Sequence, residues 1–277
     1  MKHHSLLSIR PVRSLPGQLR SRAAAAFTLV ELLVVIAIIA ILAAMLLPVL
    51  NSVKTKAKVK MAQVQMGQIV GAIRDYESTY NRYPVSSNAM SAVSKVTPAD
   101  DYTFGVDFLV ANTGYTPSAV YSTYRADNSE IMATLLDLET YPSNGLATIN
   151  KGHVKNPKKT QFLNATMSTD VKAPGVGPDL VYRDPWGHPY IITIDLNYDE
   201  KARDVFYRQQ AISKQSGLSG QSGYNGLINS IDPAGAGDHF EAATPVMVWS
   251  FGPDGKAQLN VPANQGVNKD NILSWKQ

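Results

Sequence analysis

One acidic residue stands alone in a long apolar stretch near the start of the chain. Residues 23–50 carry a single charged side chain, Glu31, and the 19 residues from 32 to 50 carry none. That length is enough for a helix to cross the hydrocarbon core of a bilayer. A carboxylate inside such a helix costs roughly 2.5–3.5 kcal/mol on insertion scales. Glu31 therefore needs a partner.

The charges on either side of this stretch indicate its orientation. The 22 residues before it contain five cations and no acid, and by the positive-inside rule they hold the N-terminus in the cytoplasm. After it come Lys54, Lys56, Lys58 and Lys60, which spread around a helix surface. We interpret these lysines as a solvated helix leaving the membrane rather than a lipid-binding patch.

Two other interpretations of the apolar stretch explain less. A secretory signal peptide has small residues at a cleavage site after its apolar core. Here the alanine cluster at residues 23–26 precedes the core, and Ala43 and Ala44 lie inside it. An uncleaved anchor gives Glu31 no role.

The run from Phe27 to Ile36 reads FTLVELLVVI and resembles the cleavage and methylation segment of type IV pilins and type II secretion pseudopilins. The resemblance implies that a prepilin peptidase cuts between Ala26 and Phe27 and methylates the new N-terminus at Phe27. The family usually has Gly before the cut, and Ala26 is small enough for processing to be expected. Residues 1–26 are then a cytoplasmic leader that is removed, and residues 27–50 are the transmembrane and polymerisation helix.

The resemblance supplies a partner for Glu31. A free ammonium group at Phe27 and the carboxylate of Glu31 are both costly in lipid. In a stack of subunits, Glu31 of one copy is expected to pair with Phe27 of the next, and such a pair sets the register between subunits. A pair within one helix, four residues apart, is the competing interpretation.

Charge and composition argue against several functions. The whole chain has a net charge of +4, but removal of the five leader cations leaves 21 basic and 22 acidic residues, a net charge of −1. The positive charge belongs to the leader, so no nucleic acid partner is expected. The chain has no Cys, which excludes a disulfide framework and thiolate metal sites.

No motif predicts an enzyme. His153, His188 and His239 are far apart in the sequence and lack the spacing of a metal site. No serine lies in a Gly-x-Ser-x-Gly elbow. A structural role is therefore expected.

The helical pattern continues past the membrane stretch. Pro48 removes one backbone hydrogen bond and predicts a kink or local melting, and we assign it a role in assembly. Apolar residues then recur with a period near 3.6 and predict a helix to about Tyr80, with residues 51–83 as its periplasmic half. Gly67 and Gly71 either permit close packing of another helix or are tolerated beneath a sheet.

The rest of the chain is predicted to complete an α+β fold, in which the long helix packs on a small antiparallel sheet, as in pilins. Residues 84–177 are predicted to be an inserted region of loops and helix. There, Asn128 or Ser129 is expected to cap a helix that ends near Tyr141. Residues 178–277 are predicted to form the C-terminal sheet, with strands at 180–182, 190–194, 205–207 and 246–251.

Three C-terminal motifs resemble signatures of the major pseudopilin of type II secretion, in the same order along the chain. They are Asp-Pro-Trp-Gly-His-Pro-Tyr at 184–190, Trp-Ser-Phe-Gly-Pro-Asp-Gly-Lys at 249–256 and Asp-Asn-Ile-Leu-Ser-Trp at 270–275. Together they indicate that the chain resembles the pseudopilins of type II secretion more than pilins in general.

In that family the loop between the last two motifs binds calcium. Carried over, Asp254, Asp270 and Asn271 are expected ligands, with backbone oxygens near Phe251, because calcium takes six to eight oxygen ligands. The alternative is a plain turn in which Asp254 bonds to its own backbone.

The resemblance implies a structural subunit of a type II secretion pseudopilus, anchored in the bacterial inner membrane with its domain in the periplasm. Expected partners are further copies, minor pseudopilins, the prepilin peptidase, the inner-membrane assembly platform and the lipid bilayer. Two alternatives stay open. One is a surface type IV pilin for adhesion, motility or DNA uptake, and the other is an anchored binding protein that does not polymerise.

Overall fold

A single long helix begins the described part of the chain. The structure is a computed structural model that describes residues 27–95, 101–215, 217, 221–230 and 237–276. Helix α1 (Leu29–Tyr80) has 52 residues, and its end confirms the boundary predicted near Tyr80. Of the described helices, it is the one long and apolar enough to span a bilayer. The described chain divides into two units between Leu50 and Asn51.

Helix α1 continues through residue 48. The kink or local melting expected at Pro48 stays a prediction.

Short helices and strands, joined by turns and loops, follow α1 in the described chain. The helices are α2 (Ser87–Ser94), α3 (Val106–Thr113), α4 (Val120–Thr123), α5 (Ser129–Leu135) and α6 (Gln210–Ser213), with one-turn 3₁₀ helices at Lys151–His153, Tyr224–Gly226 and Gly266–Asp270. The strands are β1 (Tyr102–Phe104), β2 (Gly175–Val176), β3 (Tyr182–Arg183), β4 (Ile191–Ile194), β5 (Ile228–Asn229), β6 (Phe240–Glu241), β7 (Val246–Ser250) and β8 (Ile272–Leu273).

The largest described sheet has the strand order β1-β4-β7-β8, and every neighbouring pair is antiparallel. Its centre pairs Ile192 with Val248, both fully buried. Strands β2 and β3 form one two-stranded ribbon, and β5 and β6 form another. These elements confirm the predicted α+β class of a long N-terminal helix with small antiparallel sheets. Strand β1 comes from the region predicted to be an insertion.

One face of the second half of α1 is buried in the same hydrophobic core as the strands. The buried positions recur three or four residues apart, as the helix period requires. They are Ala62, Met66, Ile69, Ile73 and Tyr76. A side-chain hydrogen bond also joins helix and domain, from the Tyr190 hydroxyl to Gln65 Oε1 at 2.6 Å.

Two predicted elements differ in the structure. Residues 205–207, predicted to be a strand, form a turn, because the backbone N–H groups of Phe206 and Tyr207 both donate to Asp204 Oδ1 at 2.9 Å. Helix α5 ends at Leu135, short of the predicted end near Tyr141. The chain turns away at Asp137, which has a left-handed φ of 56°.

Asn128 precedes α5 but does not cap it with its side chain. Its amide nitrogen donates to the carbonyls of Tyr182 and Tyr190, at 3.0 and 2.8 Å, and its amide oxygen accepts the Tyr182 N–H at 2.8 Å. The buried amide therefore fixes two distant backbone segments. Asn128 therefore occupies the predicted N-cap position of α5, but the side-chain cap expected from Asn128 or Ser129 is not formed.

Asp204 ties the turn to the centre of the sheet. Its Oδ2 accepts hydrogen bonds from Thr193 on β4 at 2.8 Å and from the Trp249 indole on β7 at 3.1 Å. The carboxyl is fully buried, and burial raises its pKa. A buried carboxyl is tolerated only where it is well hydrogen-bonded, so these contacts stabilise the core.

Candidate functional site

The predicted processing site lies at the edge of the described residues. Ala26 falls outside them, and Phe27 is exposed, with 75% of its surface accessible. In the uncut chain Phe27 carries a peptide nitrogen and no ammonium group. Cleavage between Ala26 and Phe27 and methylation of Phe27 stay predictions.

Glu31 has a partner within its own helix. Its Oε2 accepts hydrogen bonds from the backbone N–H of Thr28 at 2.9 Å and from the Thr28 hydroxyl at 2.8 Å. The Thr28 hydroxyl in turn accepts the Glu31 N–H at 3.2 Å. This reciprocal arrangement is a capping box, which satisfies N–H groups that the start of a helix leaves without partners.

The capping box gives Glu31 a structural role that the sequence analysis missed. The Thr-x-x-Glu spacing that signals it is visible in the sequence. Before cleavage, the carboxylate is held by Thr28 at the N-terminal end of α1. The expected contact with an ammonium group needs the cut chain and a second copy, so it stays a prediction.

The first two C-terminal motifs meet at Asp184. Its Oδ1 accepts the backbone N–H groups of Trp186 and His188, each at 2.9 Å. Its Oδ2 accepts the Ser250 hydroxyl at 2.5 Å. Asp184 is fully buried, so one carboxylate shapes the 184–190 turn and attaches it to β7.

The second and third motifs meet at Gly252. The Ser250 hydroxyl accepts the Gly252 N–H at 3.0 Å. Gly252 has a left-handed φ of 69°, and a Cβ placed on it would lie 2.2 Å from the carbonyl oxygen of Asp270. Strands β7 and β8 also pair, with Trp249 opposite Leu273. The structure thus brings all three motifs into one cluster.

His188 packs between the 184–190 turn and the 252–255 turn. A Cβ on Gly255 would meet its ring at 2.4 Å, and its Nδ1 lies 3.8 Å from Asp184 Oδ2, too far for a hydrogen bond but close enough for an ionic contact. The Asp184 carboxylate, and secondarily the charge of Asp254, raises the pKa of His188. His188 is best explained as a packing residue of the turn.

The expected calcium ligands lie on two neighbouring segments. Asp254 Oδ1 accepts the Lys256 N–H at 2.9 Å, which is the plain-turn alternative. Burial, followed by the charge of Asp254, raises the pKa of Asp270, so the two carboxylates are near enough to repel each other.

Asn271 is the residue that best tests whether these side chains suit a calcium ion. Its amide nitrogen donates to the Tyr207 hydroxyl at 2.9 Å, whereas its Oδ1 is buried and has no hydrogen-bond donor among the described residues. A buried amide oxygen without a donor matches the chemistry of a calcium ligand. The described residues contain no cluster of three or more His, Asp or Glu suited to a metal, so a cation here would rely on amide and backbone oxygens as well.

His153 contacts two acids that the sequence analysis did not connect with it. Its Nδ1 lies 2.8 Å from Asp137 Oδ1 and its Nε2 lies 3.1 Å from Glu139 Oε1. The two carboxylates occupy opposite sides of the ring and do not converge on one point. This arrangement fixes the 150–156 loop rather than forming a metal site.

Comparison with known proteins gives one match, at the N-terminus. Residues 21–47 match the prokaryotic N-terminal methylation motif. No curated protein and no solved structure matches the chain. The match supports a type IV pilin-like prepilin signal, and with the apolar first half of α1 it is consistent with membrane anchoring.

Gly252→Ala tests the contact between the second and third motifs. We expect it to lower the free energy of unfolding by about 2–4 kcal/mol, because a side chain is strained at this φ and would strike the Asp270 backbone. Denaturant unfolding of the detergent-solubilised protein measures the change.

Gly145→Ala is the matched control. Gly145 has the same φ of 69°, but nothing lies within 4 Å of its Cβ position, so only the backbone strain of about 1–2 kcal/mol is expected. Equal losses in the two variants would show that the approach to Asp270 does not require glycine.

Proposed function

We propose that this protein is a structural subunit of a type II secretion pseudopilus. The observation that carries the proposal is the methylation motif at residues 21–47, placed at the start of α1, whose exposed apolar first half has Glu31 as its one acid. The prepilin peptidase removes the 26-residue leader and methylates Phe27. The processed helix then anchors the subunit and polymerises.

The C-terminal cluster supports the secretion branch over a generic pilin. The three motifs that resemble the major pseudopilin are far apart in the sequence, yet Asp184, Ser250, Gly252 and Asp270 are in direct contact. Asp184, Ser250 and Gly252 are buried, so the turns that they form depend on one another. The lack of Cys is consistent with this assignment.

Cleavage converts Glu31 from a capping residue into half of an intersubunit pair. The cut creates an ammonium group at Phe27, which costs free energy in lipid unless an anion accompanies it. Glu31 of a neighbouring copy supplies that anion and fixes the axial register. A single processing event therefore licenses assembly, since the uncut chain lacks the positive partner.

The proposed role is mechanical. Subunits leave the bacterial inner membrane through the assembly platform, driven by a cytoplasmic ATPase, and the growing filament pushes secreted proteins outward. The domain lies in the periplasm and contacts other copies and minor pseudopilins. No nucleic acid contact and no catalysis are part of this proposal.

We also propose that the turn around Asp254 holds a calcium ion. The carboxylates of Asp254 and Asp270 and the amide oxygen of Asn271 would supply ligands, and backbone oxygens near Phe251 would complete the shell. The support is the buried Asn271 Oδ1, which has no donor in the described chain. A bound cation would stabilise the approach of the second and third motifs.

Substitutions at Glu31 distinguish the role of its negative charge in assembly from its role in the capping box. Glu31→Gln keeps a capping box, because Gln serves at that position as well as Glu, but it removes the negative charge. We expect both Glu31→Gln and Glu31→Ala to be cleaved, and to reduce pseudopilus assembly by at least about tenfold, since a buried charge would lose its partner. Sheared filament fractions and N-terminal processing are measured together.

Thr28→Val is the matched control, since it removes the hydroxyl from the cap and keeps the charge of Glu31. It should assemble within about threefold of the wild type, because a lost cap costs only about 1 kcal/mol. If Glu31→Gln assembles normally, assembly does not need the negative charge of Glu31, and Glu31 then acts only in the capping box. An Ala variant unchanged in both processing and assembly would refute the proposed function, and long extracellular fibres at native expression would favour a surface pilin.

Calcium should raise the thermal stability of the detergent-solubilised protein. At about 100 times its dissociation constant, a ligand stabilises the folded state by about 2.7 kcal/mol. Asp270→Ala and Asn271→Ala should abolish the calcium-dependent shift, whereas Asp170→Ala, an exposed acid outside the cluster, should keep it. Magnesium is the ion control. Identical melting with calcium and with chelator would exclude the site.

A further inference from the structure

The second half of α1 has an exposed face on the side opposite its buried stripe. Its positions recur at intervals of three and four residues, as one helix face requires, and we call them the outer face: Val53, Lys56, Lys60, Val64, Gly67 and Gly71. Val53 and Val64 are 56% and 61% exposed. Gly67 lines a cavity shared with Ala242 and Trp275, and Gly71 is half-buried, so the exposed apolar and basic part of the outer face runs from residue 53 to residue 64.

The two glycines of the outer face are not required by the fold of the subunit. Nothing lies within 4 Å of a Cβ placed on Gly67 or Gly71, so no packing contact within the subunit requires glycine at either position. Glycine also weakens a helix interior relative to alanine. Close approach by another protein segment, one of the two alternatives predicted from the sequence, is consistent with this open space.

The lysines of the outer face have no acidic partner among the described residues. Lys60 Nζ donates to Gln63 Oε1 at 3.0 Å, and Lys56 is exposed. Lys58 differs, because its Nζ lies 5.8 Å from the centre of the Trp186 ring. Lys56 and Lys60 are therefore the cations available to a second molecule.

A complementary surface lies near the end of the same helix. A cavity of about 380 Å³, which we call the acidic pocket, is lined by carboxylates, tyrosine rings and small apolar side chains, and none of its lining residues is basic: Glu77, Tyr83, Asp195, Tyr198, Glu200, Ala243 and Pro245. The rings of Tyr83 and Tyr198 stack with centroids 5.5 Å apart. Carboxylates beside aromatic rings suit a lysine ammonium group.

These two surfaces cannot meet within one subunit. Lys60 and Glu77 lie on one continuous helix, about 26 Å apart at 1.5 Å per residue. Complementary patches at different places on the same molecule join copies head to tail, and such a contact extends into an open filament when it does not close into a ring.

We propose that the outer face of α1 docks onto the acidic pocket of a second copy of this chain, with Lys56 and Lys60 opposite Glu77 and Glu200. The inference rests on the proposed filament and specifies one of its contacts. It sets the axial offset between the two copies at about 25–30 Å, the helix length that separates the two patches. The close approach occurs at Gly67 and Gly71.

Disulfide crosslinking tests the contact directly, because the chain has no native cysteine. Filaments of the Lys60→Cys, Glu77→Cys double variant are oxidised and separated without reductant. A disulfide needs Cα atoms within about 7 Å, so a bond between positions 60 and 77 must join two chains. We expect a ladder of linked multimers, at least fivefold above the Lys60→Cys, Asp75→Cys control, whose second cysteine lies on another face of the helix.

Charge reversal supplies an independent readout. Lys56→Glu with Lys60→Glu, or Glu77→Lys with Glu200→Lys, should each lower filament yield at least about fivefold, since like charges would then face each other. Combining all four changes should restore yield to within about twofold. Asp75→Lys is the single-charge control and should assemble normally.

The outcomes separate this contact from the proposed function. If wild-type filaments form, no crosslink exceeds the control and all charge variants assemble normally, the docking contact is refuted while the filament stands. If the wild type forms no filament and Glu31→Ala behaves identically to it, the proposed function itself is contradicted, whatever the crosslinking shows.

Discussion

A carboxylate inside an apolar helix costs free energy unless hydrogen-bond donors or a positive charge accompany it. The start of α1 and the proposed assembly of this protein both depend on which partner Glu31 has. In the uncut chain, Glu31 is held by the backbone and hydroxyl of Thr28. The same contacts satisfy backbone N–H groups at the N-terminus of α1 and so fix the residue at which the helix begins. Because the cap is local, it survives in a single subunit in the membrane. It also leaves the carboxylate at an exposed position, where a neighbouring ammonium group could replace Thr28 as its partner.

The domain is built on buried carboxylates in a comparable way. Asp184 joins a turn to β7, and Asp204 joins another turn to β4 and β7. Both side chains are fully buried, and each accepts several hydrogen bonds, which offset the cost of removing a carboxyl from water. Short strands then suffice, because side chains hold the loops against the sheet. The C-terminal motifs form one cluster for this reason.

The sequence predicted those parts of the fold that depend on local patterns. The end of α1 near Tyr80 and strand β7 follow from periodicity and from the turn residues around them. The turn at residues 205–207 could not be predicted this way, since its apolar pattern favours a strand and the deciding contact is with Asp204. Likewise, the partners of Asn128 lie more than 50 residues away. The Thr28–Glu31 cap, by contrast, is predictable from the Thr-x-x-Glu spacing.

Mass spectrometry of the N-terminus of the protein from membranes of the native host tests the central claim most directly. If Glu31 gains an ammonium partner through processing, the dominant species begins at Phe27 and carries a methyl group on its terminal nitrogen. A population that consists only of chains starting at Met1, or of unmethylated chains, would contradict the prepilin assignment and the assembly mechanism that depends on it.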